Sequence, residues 1–267
     1  MKAMILAAGL GTRLRPLTND KPKALVTVAG RTLLDIALAR LRSLGVRDVI
    51  VNAHHHADML CAYLGANGNF GMRIEVSREE VLLDTGGGLK NAAYFFVGPG
   101  ADSQEPFIVH NVDVISDIDL ARMVEFHKEH DALATLAVQD RDTSRYLLFD
   151  DEGELCGRRA RRVVNTGEQD AGLVRPAERV HAWAFSGIHV ISPRIFLKMS
   201  EDGVFSIITS YLRLAAEGER IVAYRADACY WRDLGRPENI AMAETDIADG
   251  IYAPSREVKG AGAFPGE

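Results

Sequence analysis

The string Leu6-Ala7-Ala8-Gly9-Leu10-Gly11-Thr12-Arg13-Leu14-Arg15-Pro16-Leu17 follows an apolar run at the start of the chain, and Pro22-Lys23 comes shortly after it. The apolar run reads as a buried strand and the small residues as a loop that a ligand can approach closely. Glycine admits backbone conformations that aim N–H groups at phosphate oxygens, and arginine pairs with those oxygens through two donors. The combination points to a nucleoside triphosphate site at Ala7, Ala8, Gly9, Gly11, Thr12, Arg13 and Lys23. Two other phosphate loops are excluded. No G-x-x-x-x-G-K followed by Ser or Thr occurs, and Leu14 stands where a dinucleotide fingerprint needs its third glycine. Gly9 and Gly11 alone would equally fit a tight strand–helix turn.

A polyphosphate calls for a cation and for carboxylates to hold it. Phe107-Ile108-Val109-His110-Asn111-Val112-Asp113 is an apolar strand ending in an acid, and ligands of open α/β sheets lie beyond the carboxyl ends of strands. Asp113 is therefore placed for a metal, whereas Asp117 and Asp119 suit a helix cap. His54-His55-His56 reads as a polar loop, since consecutive side chains diverge, and His127 and His130 as a solvated helix face. Leu83-Asp84-Thr85-Gly86-Gly87-Gly88 reads as a second glycine loop opening a helix, whose N-terminus would face an anion, or as plain punctuation.

The first string, Ala7 to Thr18, with Pro22-Lys23-Ala24-Leu25, resembles the opening signature of the sugar-phosphate nucleotidylyltransferases, the NDP-sugar pyrophosphorylases, nearest to their compact uridylyltransferase and guanylyltransferase types. The resemblance runs to about residue 245. It implies the nucleotide-diphospho-sugar transferase fold and Mg²⁺-dependent transfer of a nucleotidyl group from an NTP to a sugar 1-phosphate, releasing pyrophosphate. It implies Arg13 and Lys23 on the phosphates and Asp113 as the first metal ligand. Trp231-Arg232-Asp233-Leu234-Gly235-Arg236-Pro237-Glu238 resembles the segment carrying the second, Asp233, although by itself it reads as a turn. Ser186 and Gly187 fall on a strand that resembles the one bordering the sugar in the family, although by itself it reads as a core strand. Asn111 is expected on the substrate as well, and the loop of Gly87 and Gly88 resembles the family's loop along the base and sugar. Val112 departs from the family's usual glycine, and Glu178-Arg179 from the Glu-Lys pair of larger members. No hexapeptide repeat follows, so acetyl transfer by a β-helix domain is not expected.

Strands and helices must carry these groups. Apolar runs alternate with helical periodicity: strands near 1–8, 48–52, 72–76 and 107–110, helices over 32–44, 57–64 and 88–96. That alternation predicts a three-layer α/β/α, Rossmann-like, mostly parallel sheet. The second half reads as mixed: helices over 120–130, 205–217 and 237–248, strands over 132–138, 146–150, 183–191 and 221–225, a hairpin turn at 150–153 and a surface excursion over 158–180. Residues 1–249 are expected to form the nucleotidyltransferase domain, and 250–267 a loose tail.

Composition narrows the partners. A net charge of −6 in 267 residues argues against nucleic acid, and no apolar run is long enough for a bilayer. No signal-peptide pattern is seen. Cys61, Cys156 and Cys229 form neither a metal clip nor a disulfide framework, which fits a cytoplasmic setting. Oligomeric state is not fixed. Two rival readings remain: a glycosyltransferase consuming an NDP-sugar, for which Asp117-Ile118-Asp119 is the formal mark, and a non-catalytic sugar-nucleotide sensor. Within the leading class, UTP, GTP with mannose or heptose 1-phosphate, and CTP with a choline-type acceptor stay open.

Overall fold

A computed structural model describes residues 1–98, 104–160 and 172–255, which fall into two compact units. The first holds residues 1–82, 110–117 and 230 onward; the second holds 83–109 and 118–229.

In the first unit β1 (Lys2–Leu6) is followed by the short strands β2 (Thr27–Val28) and β3 (Arg31–Thr32). Then come α1 (Leu33–Ser43), β4 (Asp48–Ala53), α2 (Ala57–Ala66) and β5 (Arg73–Arg78). β1 pairs with β4 and β4 with β5, both parallel, as the alternation predicts. Ala3, Met4 and Ile5 of β1 and Val49, Ile50 and Val51 of β4 are wholly buried, as parallel strands covered on both faces must be. The Thr32 hydroxyl accepts from the Asp35 N–H to start α1, whose Leu34, Leu38 and Leu41 face the core. Each such leucine contributes about 2 kcal/mol by leaving water.

In the second unit α3 (Asp84–Asn91) and α4 (Ala93–Val97) precede β6 (Phe107–Asn111), whose last two residues belong to the first unit. One further strand, β7 (Val114–Ser116), lies in the first unit. The second unit resumes with α5 (Leu120–Glu129), β8 (Ala134–Gln139), β9 (Arg145–Phe149), β10 (Leu155–Ala160), β11 (His181–Ile191), α6 (Ile207–Ala216) and β12 (Ile221–Arg225). Its ladder is mixed: β10–β9, β9–β11 and β11–β8 are antiparallel, and β8–β12 is parallel. The first unit closes with β13 (Trp231–Asp233), antiparallel to β7, and α7 (Pro237–Ala248).

Several expectations need correction. The three glycines after Thr85 lie inside α3, not in a loop before it. Residues 158–160 belong to β10, while 161–171 lie outside the described residues. His127 is not on a solvated face: it is buried, its Nδ1 hydrogen-bonded at 2.9 Å to the Thr135 hydroxyl. Of the expected tail, residues 256–267 lie outside the description, but Tyr252 is buried and stacks on Tyr230 at 4.6 Å, and the Ser255 carbonyl accepts from Arg31. Asp119 caps α5 as expected, accepting from the Arg122 N–H, while Asp117 accepts from the Tyr230 N–H. Among the described residues no helix is long and apolar enough to cross a membrane.

Candidate active site

The first unit gathers four of the predicted residues: Arg13, Lys23, Asp113 and Asp233. After β1 the backbone turns through Gly11, at φ +63°, into a single 3₁₀ turn at Thr12–Leu14. A side chain at Gly11 would strain the backbone and sit 2.9 Å from the Thr18 methyl. The Thr18 hydroxyl and the Leu14 N–H both donate to the Gly11 carbonyl, which fixes the turn that projects Arg13. A second 3₁₀ turn, Lys23–Leu25, buries Ala24 and Leu25 and leaves the Lys23 side chain facing Asp113. The Lys23 ammonium forms an ion pair with Asp113 Oδ2, both side chains nearly buried.

Asp113 and Asp233 reach one place through a short ribbon. Asp233 is opposite Val114 in the β7–β13 ladder, and the Leu234 N–H donates to the Asp113 carbonyl at 2.7 Å. The Asp233 carboxylate accepts from the Gly235 N–H at 2.6 Å. Gly235 marks the point of convergence. A methyl group there would lie 2.7 Å from Asp233 Oδ1, 3.1 Å from Arg13 Nη2 and 3.4 Å from Asp113 Oδ2. Burial pushes the Asp233 carboxyl up from the usual carboxylate range, and the Asp113 charge adds to this. The Gly235 N–H, Lys23 and Arg13 oppose the rise without cancelling it. Two acids held this close favour a bound cation. Among the described residues no cluster of three or more His, Cys, Asp or Glu side chains stands ready for a metal. A carboxylate pair therefore suits an ion that takes most of its ligands from water and phosphate, and does not suit a site closed by protein side chains alone.

The other predicted residues are placed as follows. The Ala7 and Ala8 amides already donate to the Asn52 side chain, at 2.7 and 3.3 Å, so neither is turned toward a phosphate. Gly9 is exposed. Asn111 is half-buried at the end of β6, its carbonyl hydrogen-bonded to its neighbour His110. Burial pushes the His110 imidazole down to about 4. Val112 is buried and its N–H donates to the Leu6 carbonyl. Gly87, Gly88, Ser186 and Gly187 belong to the second unit. There the Gly86 and Gly87 amides donate to the Phe205 carbonyl, and a Cβ on Gly87 would overlap the Gly203 carbonyl oxygen. These glycines permit close backbone packing of α3. Ser186 is fully buried and Gly187 has φ +74°, within the register shift between Phe185 and His189 of β11. Sequence reasoning misses Asn52 and Glu79. The available signal is a polar residue closing the apolar run of β4.

Comparison with known proteins gives the family and the fold. The sequence profile of the family described as "Nucleotidyl transferase" matches residues 2–250. The N-acetylmuramate alpha-1-phosphate uridylyltransferase of Caulobacter vibrioides is 37% identical over 92% of this chain and 97% of its own length. The mannose-1-phosphate guanylyltransferase of Mycobacterium tuberculosis is 30% identical over 97% of this chain and 67% of its own. Among solved structures, HddC from Yersinia pseudotuberculosis, complexed with GMP-PN, superimposes with a TM-score of 0.70 at 24% identity, covering 92% of this chain and 99% of HddC. The fold is thus mixed α/β with a central, mostly parallel sheet, and the chain belongs to the nucleotidyl transferase family.

Proposed function

We propose that the protein joins a nucleoside triphosphate to a sugar 1-phosphate, giving an NDP-sugar and pyrophosphate, with Mg²⁺ held by Asp113 and Asp233. The observation that carries this is the meeting of Asp113, Asp233 and Arg13 around Gly235, with Lys23 paired to Asp113. A phosphate oxygen of the sugar 1-phosphate attacks the α-phosphorus in line. The bond to the bridging oxygen breaks, and pyrophosphate departs with that electron pair. No covalent intermediate with the protein is needed. Arg13, exposed on its 3₁₀ turn, pairs with the β- and γ-phosphates, where its planar fork suits two oxygens. Lys23 serves the α-phosphate, offering the donors not taken by Asp113 to the charge that spreads in the transition state. Bound Mg²⁺ supplies charge neutralisation on the triphosphate. Gly9 and Gly11 let the chain pass close to the phosphates. Asn111, at the end of β6, belongs to the sugar side of the reaction.

UTP is the preferred donor in this reading, because the Caulobacter relative at 37% identity is a uridylyltransferase matched over nearly its whole length. GTP with mannose 1-phosphate is the second reading, favoured by the mycobacterial relative at 30%. A matrix of NTPs against sugar 1-phosphates, read by pyrophosphate release with Mg²⁺ present, separates them. Lys23→Ala and Asp113→Asn should each lower turnover by roughly 10²- to 10³-fold, as loss of a group that stabilises transition-state charge does. Near-wild-type turnover in either variant overturns that residue's role. Calorimetry without NTP uptake in the presence of Mg²⁺ overturns the function.

A further inference from the structure

Behind the glycine loop, three neighbouring parallel strand ends are tied by side-chain hydrogen bonds. Asn52 is opposite Leu6 in the β1–β4 register and is almost entirely buried. Its Oδ1 accepts from the Ala7 N–H at 2.7 Å and from the Ala8 N–H at 3.3 Å. Its Nδ2 donates to Glu79 Oε1 at 2.7 Å. Glu79 lies just past β5 and is buried too. The Glu79 N–H donates to the Ala53 carbonyl at 2.8 Å, and its carbonyl is 2.9 Å from His54 Nδ1. A carboxamide is required at position 52, because the position must accept on one side and donate on the other. The donors facing Oδ1 and the carboxylate facing Nδ2 leave only one orientation of the amide.

We propose that Asn52 and Glu79 are positioning residues for nucleotide binding: Asn52 sets the first turn of the glycine loop, and Glu79 sets which way the Asn52 amide faces. This rests on the reading that the loop receives the triphosphate. Asn52 closes the Ala7 and Ala8 amides to the ligand and fixes where the chain enters Gly9–Arg13. Arg13 is therefore aimed through a side chain that need not touch the nucleotide.

A donor–acceptor exchange tests it. In Asn52→Asp the donor to Glu79 is lost and two buried carboxylates face each other. In the double variant Asn52→Asp/Glu79→Gln, the introduced carboxylate still accepts from both alanine amides and the introduced carboxamide supplies the donor. These three bonds are then remade with one negative charge, as in the wild type. We expect Asn52→Asp to raise the KM for NTP about tenfold or more, the effect of a lost buried hydrogen bond, with the KM for sugar phosphate within about twofold. The double variant should return the NTP KM to within about threefold of wild type. Hydrogen exchange of residues 7–13 should speed up in Asn52→Asp and recover in the double variant. If Asn52→Asp does not fold, the double variant alone decides, since it must fold and bind NTP. A double variant as impaired as the single one, or a wild-type NTP KM in Asn52→Asp, overturns the proposal. A wild type inactive with every substrate pair would instead overturn the function, while the exchange data still test the hold of Asn52 on the loop.

Discussion

Replacing Gly235 by alanine probes the convergence point with one carbon atom. The added methyl would start 2.7 Å from Asp233 Oδ1, and ordinary contact begins at 3.4 Å, so the carboxylate must retreat by about 0.7 Å. Arg13 Nη2, at 3.1 Å, must also give way. Gly235 is not among the residues with positive φ, so alanine adds no backbone strain there. The damage should stay local to the charged groups. A misplacement of 1 Å costs about 10²-fold in rate, which puts the loss for Gly235→Ala at roughly 10- to 100-fold in kcat. That is about 1.4–2.7 kcal/mol of transition-state stabilisation. Thermal midpoint should move by no more than about 4 °C, the equivalent of roughly 1 kcal/mol in a chain of this size. Steady-state turnover at saturating NTP and Mg²⁺, with a melting curve on the same preparation, measures both. A variant keeping more than half of wild-type kcat refutes the reasoning, and so does a kcat loss accompanied by a collapse in stability.

Two further predictions concern stability. The His127 imidazole is pushed down to about 4, chiefly by burial, with Arg194 adding to it. The unfolded chain therefore takes up this proton first. The stability contributed is fully present above the ordinary value of 6.5 and is lost as pH falls from 6.5 toward 4, by up to roughly 3 kcal/mol. Urea unfolding at pH 7, 5.5 and 4.5 should show this slope, and His127→Gln should flatten it. His110, lowered over the same range, keeps the remainder. An unchanged slope in the variant refutes the assignment. Asp246 Oδ2 accepts from the Tyr230 hydroxyl at 2.6 Å and from Arg232 Nε and Nη2 at 3.0 and 2.6 Å. Asp246→Ala should destabilise the protein by about 1–3 kcal/mol in denaturant titrations, because it strips partners from partly buried donors. A midpoint equal to wild type would show that water replaces the carboxylate at no cost.

The parallel half of the fold is legible because β1 and β4 are apolar on both faces, β5 alternates and α1 has a clear period. Residues 33–43 and 237–248 differ from the expected helices by little or nothing. Arg13 and Lys23 stand out as candidates for phosphate because charge and glycine fall together in a short string. β7 and β13 are not: three residues each is too short for any periodicity. They form the ribbon that brings Asp233 to Asp113, so the pairing of the two acids comes from family resemblance and not from patterning. His127 is misread because helical spacing near Lys128 and Glu129 looks the same whether a histidine faces water or a threonine. The triple glycine reads as a loop because propensity opposes a helix there, yet close approach of Gly203 and Phe205 outweighs propensity.

The ribbon also ties competence to the order of synthesis. Val114 and Asp233 are ladder partners separated by more than a hundred positions, so a chain emerging from the ribosome offers Asp113 without Asp233 until β13 has been made. Any fragment stopping short of β13 would lack one of the two carboxylates to which the proposed function assigns the metal. On the proposed function, such fragments should be unable to consume triphosphate.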